Sequence, residues 1–141
     1  MSPLICYEHG IHAFDAGYVR PMLAAVHLVV ENGRAAFVDT GTNASLPSAL
    51  AALEVLGLTP DCVDYVMLTH IHLDHAGGAG AMMRQFPRAR LVVHPRGARH
   101  MADPSRLVAG ANAVYGADEV SRLYGDALPI DQTRIIEATH S

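Results

Sequence analysis

The chain has 141 residues, half of them hydrophobic and 17% charged, with a formal net charge of −4. That is one domain by size, long enough to bury a core but short for a two-sheet sandwich with covering helices. An acidic balance without a basic tract gives no footing for nucleic acid or an anionic membrane, and no apolar run is long enough to span a bilayer.

In chain order, Met1 to His9 lacks the basic start and apolar run of a signal peptide, so a cytoplasmic location is expected. Cys6 and Cys62 lack the spacing of a zinc ribbon or a redox pair and are expected as free thiols. Short apolar runs at Leu4 to Tyr7 and Ile11 to Phe14 precede a stronger strand, Ala24 to Glu31. A turn at Asn32-Gly33 returns the chain as a hairpin through Ala35 to Asp39. Asn43 to Leu56 has helical periodicity, with Leu46, Leu50, Leu53 and Leu56 on one side, Asn43 or Ser45 as N-cap and Gly57 as stop. Val63 to Leu68 is a continuous apolar run, the pattern of a strand buried on both faces. A helix over Gly77 to Phe86 and a strand over Arg90 to His94 complete a β-α-β unit with it. Pro95 to Gly125 is helical in tendency but broken by Pro104, Gly110 and Gly116, and Pro104 to Gly125 reads either as an insertion over a cleft or as a surface helical pair. Thr133 to Ala138 reads as a last strand.

The chemistry lies between strand and helix. Thr69-His70-Ile71-His72-Leu73-Asp74-His75-Ala76-Gly77-Gly78 packs three histidines and a carboxylate into six positions. Imidazoles and carboxylates are the usual ligands of zinc and iron, and a loop at a strand's end brings such donors together. His70 and His72, two apart on an extended backbone, point their rings the same way and can share one ion. Gly77 and Gly78 suit a tight turn into the following helix.

This run resembles the signature of the metallo-β-lactamase superfamily, and Phe37-Val38-Asp39-Thr40-Gly41, ending an earlier strand, is similar to the family's second landmark. The resemblance implies an α/β (α+β) fold, a four-layered αββα sandwich with its metal site at an edge between two sheets. It implies two divalent metal ions, zinc first, with iron or manganese as alternatives: His70 and His72 on the first ion, Asp74 and His75 on the second. Two such ions stand ~3.5–4 Å apart, and a water held between them loses a proton near pH 7 rather than 15.7. The function implied is a metal-dependent hydrolase that uses a metal-bound hydroxide to cleave a small ester, thioester, lactone or lactam bond, with Asp74 also orienting the hydroxide. Asp39 is implied as a hydrogen-bonding support near the metal loop. His94, ending the next strand, could face the substrate or serve the structure. His9, His12, His27 and His100 lack ligand spacing and are expected at surface or satisfied core positions.

The family's later ligands have no recognisable counterparts, apart from His140 as a weak candidate for a third ligand, because it lacks the flanking glycine. The expectation is therefore a single domain over residues 1–141, incomplete at its C-terminal side, supplying about the first half of the sandwich. Half a sandwich exposes an apolar sheet face that the rest of a longer protein, or a second copy in a homo-oligomer, would cover. The partner expected at the site is a small-molecule substrate. Two other functions fit the same residues: an iron-dependent redox enzyme, and an inactive metal-binding fragment serving as an interaction module.

Overall fold

The computed structural model describes residues 4–7, 10–15, 25–69, 78–124 and 127–138. Among them seven strands form one sheet in chain order: β1 (Ile5–Cys6), β2 (Ile11–Asp15), β3 (Ala25–Glu31), β4 (Arg34–Val38), β5 (Val63–Met67), β6 (Arg90–Val93) and β7 (Ile135–Glu137). The first four pair antiparallel, and β4 to β7 pair parallel. The β3–β4 hairpin closes with Glu31 opposite Arg34, and its two turn residues, Asn32 and Gly33, both take positive φ, 52° and 75°. That is the turn whose twist matches the strands, and asparagine and glycine adopt it at least cost.

Each parallel step returns through helix. The first is α1 (Leu46–Val55), the second α2 (Ala79–Gln85), and the third runs through α3 (Pro95–Ala102), α4 (Ser105–Tyr115) and α5 (Ala117–Tyr124). All the buried apolar side chains of the main core lie between the helices and one sheet face: Phe14, Val26, Leu28, Phe37, Val66 and Leu91 from strands against Ala49, Leu53, Met82, Met83, Phe86 and Met101. Phe37 is its centre, stacked on Phe86 at 5.4 Å and edge-on to Phe14 at 6.4 Å between ring centroids. Within the expected insertion or helical pair, residues 105–124 form a helical pair, α4 against α5, with its own small cluster around Val120. Among the described residues no helix is long and apolar enough to cross a membrane.

One expectation is corrected. β5 is not buried on both faces: Tyr65 is 44% exposed. The face it lies on is uncovered among the described residues, and a bulge decides which side chains that face carries, since Ala35 pairs with Val63 but Ala36 with Tyr65, leaving Asp64 as an extra residue. Val63 and Val66 thus both turn to the helices, and Asp64 is released to an ion pair with Arg34. Ser45 stands at the N-cap of α1, as expected, but makes no side-chain cap there, and the side-chain cap is made by Thr42 at the preceding 3-10 turn. Thr42 Oγ1 accepts from the Ala44 amide at 3.3 Å and the Thr42 amide donates to Ser45 Oγ at 3.2 Å, a reciprocal box over the 3-10 turn Asn43–Ser45 that leads into α1.

The other sheet face carries Val29, Ala36, Val38, Met67, Val92 and Ile136, all half-buried, with exposed Ile11 and Tyr65. Cross-strand register places these side chains together. A sheet packed by helices on one face and apolar but uncovered on the other, among the described residues, is one inner layer of a sandwich with its outer helices.

Candidate metal centre

Parallel strands end on the same edge. The carboxyl ends of β4, β5, β6 and β7 release Asp39, Thr69, His94 and Ala138 on one side of the sheet. In open sheets this is where ligands bind. The donors singled out in the sequence all leave from these ends: His70 follows Thr69, and His140 follows two residues after Ala138. His70, His72, Asp74 and His75 themselves lie outside the described residues, as do His9 and His140. Among the described residues no group of three or more His, Cys, Asp or Glu could hold a metal ion.

The frame around the loop is described in detail. Asp39 is buried, takes φ 63° and is tied to the β5 end by its amide, which donates to the Met67 carbonyl at 2.7 Å. Its carboxylate accepts the Thr69 amide at 2.8 Å and the Thr69 hydroxyl at 2.6 Å. A left-handed aspartate costs about 1–2 kcal/mol, so its conformation is held by these bonds rather than preferred. Leu68, next in line, donates its amide to Val92 at 2.9 Å. Thr69, which opens the donor run, is thus held from the β4 end, and its predecessor Leu68 from β6.

At the other end of the loop, the Gly78 amide donates to the Gly41 carbonyl at 2.9 Å. A Cβ on Gly78 would stand 2.6 Å from the Thr42 carbonyl oxygen, so only glycine fits there without a shift. Thr40, Thr42 and Ser45 are fully or almost fully buried around this contact. The sequence reading named Gly78 only for its turn and gave Thr69, Thr40 and Thr42 no part in the site. The single signal was the run of small hydroxyl residues after Asp39, too common in turns to single out.

His94 lies on the site edge, and its Nδ1 accepts from the Arg96 amide at 3.1 Å, capping α3. The structure gives it a structural function, and the residue is exposed. His27 is exposed. His12 and His100 each bury Nδ1 with no hydrogen-bond partner among the described residues, which departs from the expectation of satisfied core histidines. Cys6 and Cys62 are free thiols, as expected.

The donor chemistry fits a metal. Three imidazoles and a carboxylate lie within six residues of a loop whose two ends are both held by hydrogen bonds, and that is a set zinc or iron accepts.

Comparison with known proteins agrees. The family model described as metallo-beta-lactamase superfamily matches residues 19–140. A hydroxyacylglutathione hydrolase from Xanthomonas axonopodis pv. citri is 34% identical over 100 residues, covering 67% of this chain and 34% of that protein. One from Xanthomonas euvesicatoria pv. vesicatoria is 37% identical over 79 residues, 56% of this chain and 26% of the relative. Among solved structures, an archaeal metallo-beta-lactamase superfamily protein from Sulfolobus tokodaii aligns with a TM-score of 0.70 and 26% identity over 92% of this chain and 48% of that one. A metallo-beta-lactamase from Cronobacter sakazakii, at 20% identity, shares the fold with a TM-score of 0.68 over 99% of this chain and 48% of its own. The chain thus spans between a quarter and half the length of these relatives, consistent with one sheet and its helices. The sheet, the edge and the match over residues 19–140 together make this chain a member of the metallo-beta-lactamase superfamily.

Proposed function

We propose that this chain carries the first metal-ligand loop of a metal-dependent hydrolase that cleaves a small ester-like bond, with thioesters ahead of lactones and lactams. The observation that carries the reading is the His70-x-His72-x-Asp74-His75 sequence together with its described flanks, an Asp39-bound Thr69 at the carboxyl edge of the sheet and a Gly41-bound Gly78. The thioester preference is supported by the Xanthomonas relatives, whose name denotes hydrolysis of an acyl-glutathione.

His70, His72, Asp74 and His75 would hold two divalent ions, zinc first. When bound, such ions polarise a carbonyl and acidify a water. The chain's own contribution is placement. His70 and His72 would supply ring nitrogens, Asp74 would supply a carboxylate oxygen that can orient a water, and Asp39 holds Thr69, the residue before them, in place. His94 and His140, at the ends of neighbouring strands, are the candidates for a substrate contact and a further ligand.

The test is hydrolysis of a hydroxyacyl-glutathione thioester, a lactone and a β-lactam by the purified chain and by a longer form carrying the rest of the domain. The expected result is thioester turnover that chelation abolishes and His72→Ala lowers at least ~100-fold. Turnover indifferent to both would overturn the reading. Iron in the active form, with oxygen consumption in place of hydrolysis, would replace it with the redox alternative.

A further inference from the structure

We propose that the free edge of β7, with the groove between it and α3, is a docking surface for an extended acidic peptide of a partner protein, which joins the sheet as an added strand.

β7 ends the sheet, and among the described residues nothing pairs with its outer side. The Ala138 amide donates to the Val93 carbonyl at 2.8 Å. Backbone groups alternate sides along a strand, so Ile136 and Ala138 face β6 while Ile135 and Glu137 face outward. The Ile135 amide is taken by the Gln132 carbonyl. The Glu137 amide and the carbonyls of Ile135 and Glu137 are left to the edge, a donor and two acceptors at strand spacing that a further strand satisfies. Side chains add a second feature. Ile135 and Glu137 turn to the helix side, where with Gln132 they meet Pro95, Ala98 and Arg99 around a cavity of about 330 Å³. An added strand sends alternate side chains to that side, where the cavity can receive one.

Charge selects the partner. α3 carries Arg96, Arg99 and His100 and no acid, in a chain of net charge −4. Arg96 and Arg99 are exposed and three positions apart on one helix, and neither guanidinium has an ion pair or hydrogen bond among the described residues. Glu137 lines the same groove, and the two arginines outweigh it. A second copy suits the edge less well. β7 is three residues long, and a continuous sheet through two copies would set their α3 arginines against each other across the two-fold axis.

The experiment is a fluorescence-anisotropy titration of the full chain with a labelled peptide of alternating valine and glutamate, beside the same peptide with lysine in place of glutamate. Amide exchange at Glu137 and Ala138 is the second readout. Expected is affinity for the glutamate peptide at least ~10-fold above that for the lysine peptide, with exchange slowed at Glu137 and unchanged at Ala138, whose amide is already bonded. Arg99→Glu should lower that affinity at least ~10-fold. Glu137→Pro, which removes the edge amide, should bind about five-fold more weakly than Glu137→Ala. Gly110→Ala, whose added Cβ meets nothing within 4 Å, should leave it alone. If Glu137→Pro does not fold, Arg99→Glu and the Glu137 amide still decide. Equal affinity for the two peptides, or glutamate-peptide binding that leaves Glu137 exchange unchanged, would overturn the proposal. A dimer in sedimentation that Glu137→Pro dissociates would overturn it as well and give the edge to a second copy.

Discussion

Arg134 closes the third parallel crossover with a single side chain. Its guanidinium donates from Nη1 to the Met83 carbonyl at 2.9 Å and from Nη2 to the Phe86 and Ala89 carbonyls at 2.6 and 2.7 Å. The Met83 carbonyl lies in the last turn of α2, where it is left without a helical partner and where a positive charge is favoured by the helix dipole. The Phe86 carbonyl, which also accepts the Ala89 amide, and the Ala89 carbonyl lie in the turn that follows it. A hydrogen bond from a charged donor contributes ~1.5–3 kcal/mol, but three bonds from one half-buried side chain do not add, and carbonyls near the surface recover water. The expected loss for Arg134→Met, which keeps the alkyl stem, is therefore about 2–4 kcal/mol. At ~2.1 cal/mol/K of unfolding entropy per residue, that is roughly 7–14 °C in Tm for a chain of this size. Urea unfolding followed by circular dichroism should show a lower midpoint with an unchanged slope. Arg134→Lys, with a point charge in place of a planar fork, should recover about half. A loss below about 1 kcal/mol for Arg134→Met would refute the reasoning and leave α2 held by Met82, Met83 and Phe86 alone.

Phe37 has no exposed surface and stacks on Phe86, so Phe37→Ala should cost about 3–5 kcal/mol, measured by the same urea titration, and should exceed the Arg134→Met loss. Arg34 hydrogen bonds and charge hold the Asp64 carboxyl below the usual carboxylate range. A depressed folded value means that the pair's contribution is present above the unfolded pKa of about 3.9 and is lost as pH falls through the Asp64 value. With the two side chains 44% and 37% exposed the contribution is small and salt-screened, so thermal melts of wild type and Asp64→Asn should differ slightly at pH 7 and low salt and converge as pH falls through the lowered Asp64 value.

The elements that depend on local chemistry were legible in the sequence. Asn32-Gly33 declared the hairpin, Gly57 the end of α1 at φ 72°, and the alternation of apolar runs with helical periods gave the parallel β5–α2–β6 step. The Asp64 bulge was not legible, because Val63 to Leu68 carries the same apolar pattern whether or not one residue is extra, and only the register against Ala35 and Ala36 decides. The donor run could be read as a metal loop because its ligands are neighbours in sequence. Of its frame only Asp39 was reached, through the family resemblance, because its partner Thr69 is thirty residues away and Thr40, Thr42 and Gly78 are residue types that fill ordinary turns. His94 shows the same limit. Its place at a strand end was readable, but its Nδ1 cap on the Arg96 amide depends on backbone geometry.

The central claim is that the His70 to His75 loop holds metal, and elemental analysis of the gel-filtered chain beside His72→Ala tests it most directly. The account predicts zinc, iron or manganese retained near stoichiometric amounts by the wild-type chain and lost by the variant. The same trace metal in both would contradict it.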